Sequence, residues 1–183
     1  METIKDLMIP LSEYAVIQED QTIFEAFLAL EKAQQSFKRN HYQHQAVLVK
    51  DRSGKIIGKL SQWDILRSLE PKYSEIQPEM PGMAKSGFSK KFLLSIMDNY
   101  EMFDKPMNDI CKKAGMEKIK DYMHGPTEGE YIDETDSLDQ AIHLLIVGLH
   151  NSLLVLRNTE IIGILRLVDV FSIVFNRMKE CEL

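Results

Sequence analysis

Ile4-Lys5-Asp6-Leu7-Met8 returns later in the chain as Ile119-Lys120-Asp121-Tyr122-Met123, and this echo decides how the rest of the sequence is read. Beyond each copy, the same signals recur in the same order. Thr22-x-x-Glu25 and Ser137-x-x-Gln140 are both capping-box patterns. In such a box a hydroxyl accepts from the third backbone N–H of a helix while the later side chain returns to the cap N–H. Behind the first box come Ile23, Phe24, Phe27, Leu28 and Leu30, and behind the second Leu138, Ile142, Leu144, Leu145, Ile146 and Val147. This is helical spacing with one buried face, and the second helix is expected to be the more deeply buried.

Each helix leads into two short apolar runs separated by a turn. The first set is Ala46 to Val49, Asp51 to Gly54 and Ile56 to Gly58; the copy is Leu153 to Leu156, Arg157 to Glu160 and Ile161 to Gly163. Runs this short, bounded by turn residues, predict hairpins packed on both faces. A second helix then closes each unit, at Asp64 to Leu69 and at Asp169 to Phe175. The expected fold class is therefore α/β (α+β): two repeats of strand, helix, strand, strand, helix, related by a pseudo-twofold axis. A single copy could not cover its own apolar sheet face, so the two are expected to pack together. The expected boundaries are 1–70 for the first repeat, 71–117 for a helical insert and 118–183 for the second repeat.

Within the insert, Pro71, Pro78, Pro81, Gly82 and Gly87 interrupt the chain. Phe88 to Phe103 and Pro106 to Ala114 then regain helical character, predicting two ordered helices. Phe92, Leu93, Ile96 and Met97 form a stripe at helical spacing, expected to pack against the module rather than to hold a cofactor. Pro106 is expected at a helix start, where its missing N–H would be an orphan anyway.

The stretch richest in chemistry is Gly58-Lys59-Leu60-Ser61-Gln62-Trp63-Asp64, where the hairpin's second strand runs into a helix. A serine at a helix cap presents its hydroxyl beside free backbone N–H groups, which favours an anion such as phosphate. An aspartate three residues on can offer two oxygens to the hydroxyls of a ribose, as the acidic residue does in dinucleotide folds. Ser-x-x-Asp is also a capping box that needs no ligand; the recurrence of its context, a strand, a glycine and an aspartate opening a helix, at the same place in both halves is what favours binding. The second copy, Gly163-Ile164-Leu165-Arg166-Leu167-Val168-Asp169, keeps the glycine and aspartate but puts Arg166 where the hydroxyl was. That guanidinium can bind a phosphate bidentately, or it can fill the cleft and pair with Asp169.

The first stretch resembles the nucleotide signature of CBS domains, Gly-h-x-[Ser/Thr]-x-x-Asp with h apolar, from which Lys59 departs. Over both repeats, though not over the insert, the chain resembles a stand-alone CBS-domain pair, a Bateman module. The resemblance implies a non-catalytic regulatory unit that holds an adenine nucleotide (AMP, ADP or ATP) or S-adenosylmethionine between its repeats. It implies that Asp64 and Ser61 face Gly129, Glu130, Asn151 and Ser152, while Asp169 and Arg166 face Tyr14, Ala15, His44 and Gln45. Adenine would be held mainly by backbone groups and apolar walls, with Glu130 an unhelpful neighbour for a phosphate. It further implies a homodimer built on the closing helices that end at Phe175, read by a downstream protein whose identity the sequence does not name. The alternative is a ligand-free module for dimerisation or docking.

Other classes find less support. A formal net charge of −6 opposes a phosphate backbone, and Lys90-Lys91 and Lys112-Lys113 read as solvated pairs, so no nucleic-acid partner is expected. Cys111 and Cys181 read as free thiols of a reducing compartment. The opening residues lack the pattern of an export signal and no run approaches the roughly 20 apolar residues that span a bilayer, so the expected location is the cytoplasm, without a membrane. Of the histidines, His41 and His44 lie close in sequence but no ligand set completes a metal site. His124 is expected in a turn and His143 in the core. Asp133, Glu134 and Asp136 are expected to favour the dipole of the helix after them. There is no Walker loop, no G-x-G-x-x-G and no nucleophile with a base in view.

Overall fold

A computed structural model describes residues 3–37, 42–79 and 87–180. In the first repeat, α1 (Ile4–Leu7), β1 (Ile9–Pro10), β2 (Val16–Gln18), α2 (Ile23–Ser36), β3 (Ala46–Lys50), β4 (Ile56–Ser61) and α3 (Gln62–Ser68) succeed one another. The insert carries α4 (Tyr73–Glu79), α5 (Lys90–Asn99) and α6 (Met107–Met116). The second repeat runs through β5 (Tyr131–Asp133), α7 (Leu138–Gly148), β6 (Ser152–Arg157), β7 (Glu160–Arg166) and α8 (Leu167–Glu180). Its opening Ile119–Asp121 is a single 3-10 turn where the first repeat has α1.

The local signals act as their chemistry requires. Thr22 caps α2 through a complete capping box and Ser137 is the N-cap of α7, with the Thr22 N–H donating to Glu25 Oε2 at 2.7 Å and the Ser137 N–H to Gln140 Oε1 at 2.9 Å. The two hairpins share one register. Val47 faces Leu60 and Leu153 faces Leu165, and each ladder slips at the same place, between Val49 and Lys50 or between Val155 and Leu156. Position by position, then, Ser61 corresponds to Arg166, Lys59 to Ile164, Ala46 to Ser152 and Gln45 to Asn151. The parallel pairs of Val16 with Leu48 and Tyr131 with Leu154 add Ala15 with Glu130 and Tyr14 with Gly129.

The repeats are joined by an exchange of their opening segments. β1 leaves its own repeat and pairs antiparallel with β7, giving a sheet in the order β1-β7-β6-β5 beside the smaller sheet β2-β3-β4. Reciprocally, His124 of the second repeat bridges to Lys59 on β4. The side chains travel with the backbone. Ile4 and Met8 are buried in the second repeat's core with Ile132, Leu145, Leu153 and Leu165, and Ile119 in the first repeat's core with Ile17, Val47 and Leu60. A third cluster, including Ile9, Leu48, Leu154 and Ile164, seals the contact between repeats. Gly58 and Gly163 are required by this crossing: a Cβ would meet the His124 carbonyl oxygen at 2.6 Å in one case and that of Ile9 at 2.5 Å in the other.

Several expectations need correction. Of the apolar face expected on α2, Ile23 is buried while Phe24, Phe27 and Leu28 are exposed; on α7, Leu138 and Leu145 are buried, and Ile146 and Val147 are exposed. His143 is exposed, because it lies off the buried Leu138, Ala141 and Leu145 stripe. The insert holds a third helix, α4, and its stripe does not dock on the module. Only Ile96 of that stripe is buried, in a satellite core with Ile76 and Met102, while Phe92, Leu93 and Met97 remain exposed. Pro106 is the N-cap of α6 rather than its first residue, and Pro78 falls inside α4. The acidic run builds a turn: Asp133 accepts from Thr135, and Glu134 holds Arg157 through two hydrogen bonds of 2.5 and 2.8 Å. Pro81, Gly82, His41 and Cys181 lie outside the described residues.

Candidate functional site

Where β4 runs into α3, a cavity of about 510 Å³ opens between the repeats, within the few hundred to a thousand Å³ usual for small-molecule sites. Ser61 and Asp64 stand on one side of it, and Glu130, Asn151 and Ser152 on the other, with Trp63, Arg67, His124 and His150 around them. Ser61 and Asp64 form a complete capping box. The Ser61 N–H and hydroxyl donate to Asp64 Oδ2 at 2.8 and 2.6 Å, and the Asp64 N–H donates to Ser61 Oγ at 3.3 Å. His124 Nδ1 lies 3.2 Å from the same Oδ2, while Oδ1 has Arg67 at 3.7 Å. Burial alone would raise the Asp64 carboxyl, but the bonds from His124 and Ser61 outweigh it and hold it below the usual carboxylate value. Asp64 is thus a buried anion, 3% exposed, with Oδ1 the less occupied oxygen.

Deeper along β4, Lys59 points across to Glu130 of the other repeat and forms an ion pair with its Oε2. The N–H and hydroxyl of Thr127 both donate to Glu130 Oε1 at 3.2 Å. Burial pushes the Glu130 carboxyl up, and Lys59 and Thr127 pull it down further than that, leaving it ionised and below its ordinary value. The carboxylate that would be an awkward neighbour for a phosphate is therefore neutralised by the lysine that departs from the apolar pattern.

Among the described residues, the pseudo-symmetric second cleft is occupied by the side chain of Arg166. Arg166 reaches into it and grips Asp169 with two parallel hydrogen bonds, Nε to Oδ2 and Nη2 to Oδ1, each 2.7 Å, the fork geometry that suits guanidinium and carboxylate. Its Nη1 donates to the Tyr42 carbonyl at 3.1 Å and lies 3.2 Å from His44 Nδ1, while the Phe37 ring sits 5.0 Å from the guanidinium carbon. Tyr14 and Phe37 enclose His44, with ring centroids 4.4 and 4.7 Å away. Burial first, and then Arg166, depress the His44 imidazole to about 4, and burial raises the Tyr14 phenol. Of the two roles open to Arg166 in the sequence, the structure contains the second: it fills the cleft and pairs with Asp169.

A family model described as the CBS domain matches residues 4–71 and 119–176. The chain belongs to the CBS-domain family. Solved CBS structures share the fold over nearly the whole length. One from Bacillus anthracis is 17% identical with a TM-score of 0.59, covering 97% of this chain and 95% of that one. One from Agrobacterium tumefaciens is 16% identical with a TM-score of 0.57, covering 93% and 91%. CBSX2, solved in complex with AMP, is 17% identical with a TM-score of 0.58, covering 97% and 99%. No curated protein sequence matches the chain.

Of the residues singled out from the sequence of this CBS pair, Ser61, Asp64, Glu130, Asn151, Ser152, Tyr14, Gln45 and Arg166 line the open cavity. His44 and Asp169 are buried beside Arg166, Ala15 is buried against a separate cavity that Tyr14 and Phe37 also line, and Gly129 is exposed, next to His150. Lys59, His124, His150 and Arg67 also line the cavity and were not picked out as site residues. His150 was legible in principle, since it corresponds to His44 one step before Gln45 and Asn151. His124 was not, because its place depends on the exchange of opening segments. Among the described residues no group of three or more His, Cys, Asp or Glu side chains is placed to hold a metal, and no helix is long and apolar enough to cross a membrane.

Proposed function

We propose that this CBS pair is a regulatory, non-catalytic module that binds one adenine nucleotide (AMP, ADP or ATP) or S-adenosylmethionine in the cleft of Asp64. The observation that carries the reading is a cavity of about 510 Å³ whose walls come from both repeats, with the Asp64 carboxylate on its rim. In this reading Asp64 Oδ1 accepts from the ribose, with Arg67 and His124 yielding to the ligand, and the Asn151 and Ser152 wall encloses the base. The Arg166 plug leaves the second cleft unused, so one ligand binds per chain. A ligand touching both repeats prefers one arrangement of them and shifts the population that a partner reads. Exposed Trp63 and Leu66 on α3 and Phe171 and Phe175 on α8 give a surface suited to the homodimer contact.

A ligand-free scaffold is the second reading, favoured by the capping box that already occupies Asp64 and by the Arg166 side chain in the other cleft. Thermal unfolding with AMP, ADP, ATP and S-adenosylmethionine separates the two. Ligand at 100 times its dissociation constant should stabilise the wild type by about 2.7 kcal/mol. Asp64→Ala should lose most of that increment, measured against its own ligand-free melting point because the cap is lost as well, and Asp169→Ala should keep it. No shift from any of the four ligands leaves the scaffold.

A further inference from the structure

The two clefts differ at three matched positions in one direction. The first has Lys59, Glu130 and His124; their counterparts in the second are Ile164, Ala15 and Ile9, all buried and apolar. The second half therefore shows that the backbone crossing, the strand pairing and the contact between repeats can all be built from apolar side chains at these places. A buried ion pair is no better for stability than a well-packed apolar pair and is often worse. Lys59 and Glu130 are 7% and 5% exposed, and both line the cavity. An ammonium group has three donors. Glu130 Oε2 is its ion-pair partner, and among the described residues nothing else bonds Lys59 Nζ. A desolvated cation with spare donors, and a carboxylate beside it, thus face an open cavity.

Resting on the nucleotide reading above, we propose that Lys59 and Glu130 form the base-reading element of this cleft, selecting a purine whose edge carries an amino donor beside a ring-nitrogen acceptor. Lys59 stands two residues before Ser61 on the same face of β4, about 7 Å farther in. With the sugar at Asp64, the base is what reaches that depth. Glu130 accepts from the exocyclic amine and Lys59 donates to the adjacent ring nitrogen, so that each group keeps a partner of the right polarity when the ligand parts or flanks the ion pair. The ligand's phosphate, on the far side of the sugar, does not touch Lys59. A purine without the exocyclic amine leaves the Glu130 carboxylate short of a donor, and a site built to hydrogen-bond a group rejects the analogue that lacks it.

The test copies the second cleft into the first. In calorimetry, wild type should bind AMP roughly tenfold or more tightly than purine riboside monophosphate, which lacks the amine. Lys59→Ile with Glu130→Ala, the pair found at the matched positions, should fold and bind the two ligands alike. Glu130→Gln, which keeps the shape and the Thr127 contact but not the charge, should narrow the preference and serves as the measure should the double variant not fold. The loss of AMP affinity in the double variant should be matched by an equal loss for adenosine. A retained preference in both variants, or a loss confined to phosphorylated ligands, overturns base reading and returns Lys59 to a structural or phosphate-holding role. Wild type that binds no purine ligand at all overturns the nucleotide reading itself, and this inference with it.

Discussion

The same strand-to-helix junction occurs twice in this molecule and is left open once and filled once. At the first, Ser61 and Asp64 cap α3 beside a cavity; at the second, Arg166 lies in the cleft and takes Asp169 as its partner. The backbone at both is set by the same hairpin register and the same close glycine contact. At the junction itself the deciding difference is one side chain, Ser61 against Arg166. A hydroxyl is too short to reach across the cleft and caps its own helix, whereas a guanidinium on a three-carbon stem reaches the other repeat and gives its own aspartate a pair of N–H donors. A repeated fold can thus keep two geometrically equivalent clefts and leave only one available.

The largest expected effect is on the filled side. Arg166→Ala would leave Asp169 buried without its counterion, and breaking such a pair typically costs about 3–5 kcal/mol. Urea unfolding should show a loss of that size, with Arg166→Ala plus Asp169→Ala recovering much of it. A single variant as stable as wild type would show that the plug contributes little to the fold.

Next in size is a pH term that belongs to the second cleft. His44 takes up a proton near 6.5 when unfolded but only near 4 in the fold, where burial and Arg166 oppose it. Between those values the unfolded chain holds the extra proton. Stability is therefore fully present above pH 6.5 and falls as the pH drops towards 4, by an amount on the order of 3 kcal/mol. Unfolding curves at pH 7, 5.5 and 4.5 should show the decline, and His44→Gln should flatten it. An equally steep decline in the variant would place the titrating group elsewhere.

The smallest effect should be shared by both sides. Gly58→Ala and Gly163→Ala each press a methyl group onto a crossing carbonyl, at 2.6 and 2.5 Å, which overpacking data put at about 1–3 kcal/mol. The two losses should be alike in thermal unfolding. A marked inequality would show that the two crossings bear unequal load.

The sequence carried the fold because its signals were local and doubled. A capping box, an apolar run, a turn and a glycine each admit other readings, but four of them in the same order twice do not. The exchange of opening segments was not legible, since nothing in Met8-Ile9-Pro10 says which sheet it joins; that is decided by long-range pairing with β7. The fate of Arg166 was open for the same reason. Its partner Asp169 is near in sequence, but Tyr42, His44 and Phe37 come from the other repeat. The exposed faces of α2 and of the insert were misjudged because helical periodicity reports which side is apolar, not whether anything covers it.

Because each half lends its first few residues to the other, this chain is not two beads on a string. If it were severed between Gly87 and Phe88, the leading piece would still have Ile4 and Met8 seated in the trailing piece, which would in turn keep Ile119 in the leading one, with Ile76 and Ile96 gripping across the cut. Mutual lending of this kind makes a nicked molecule behave as an intact one until denaturant separates its parts. Either part made alone would expose the slot meant for its sibling.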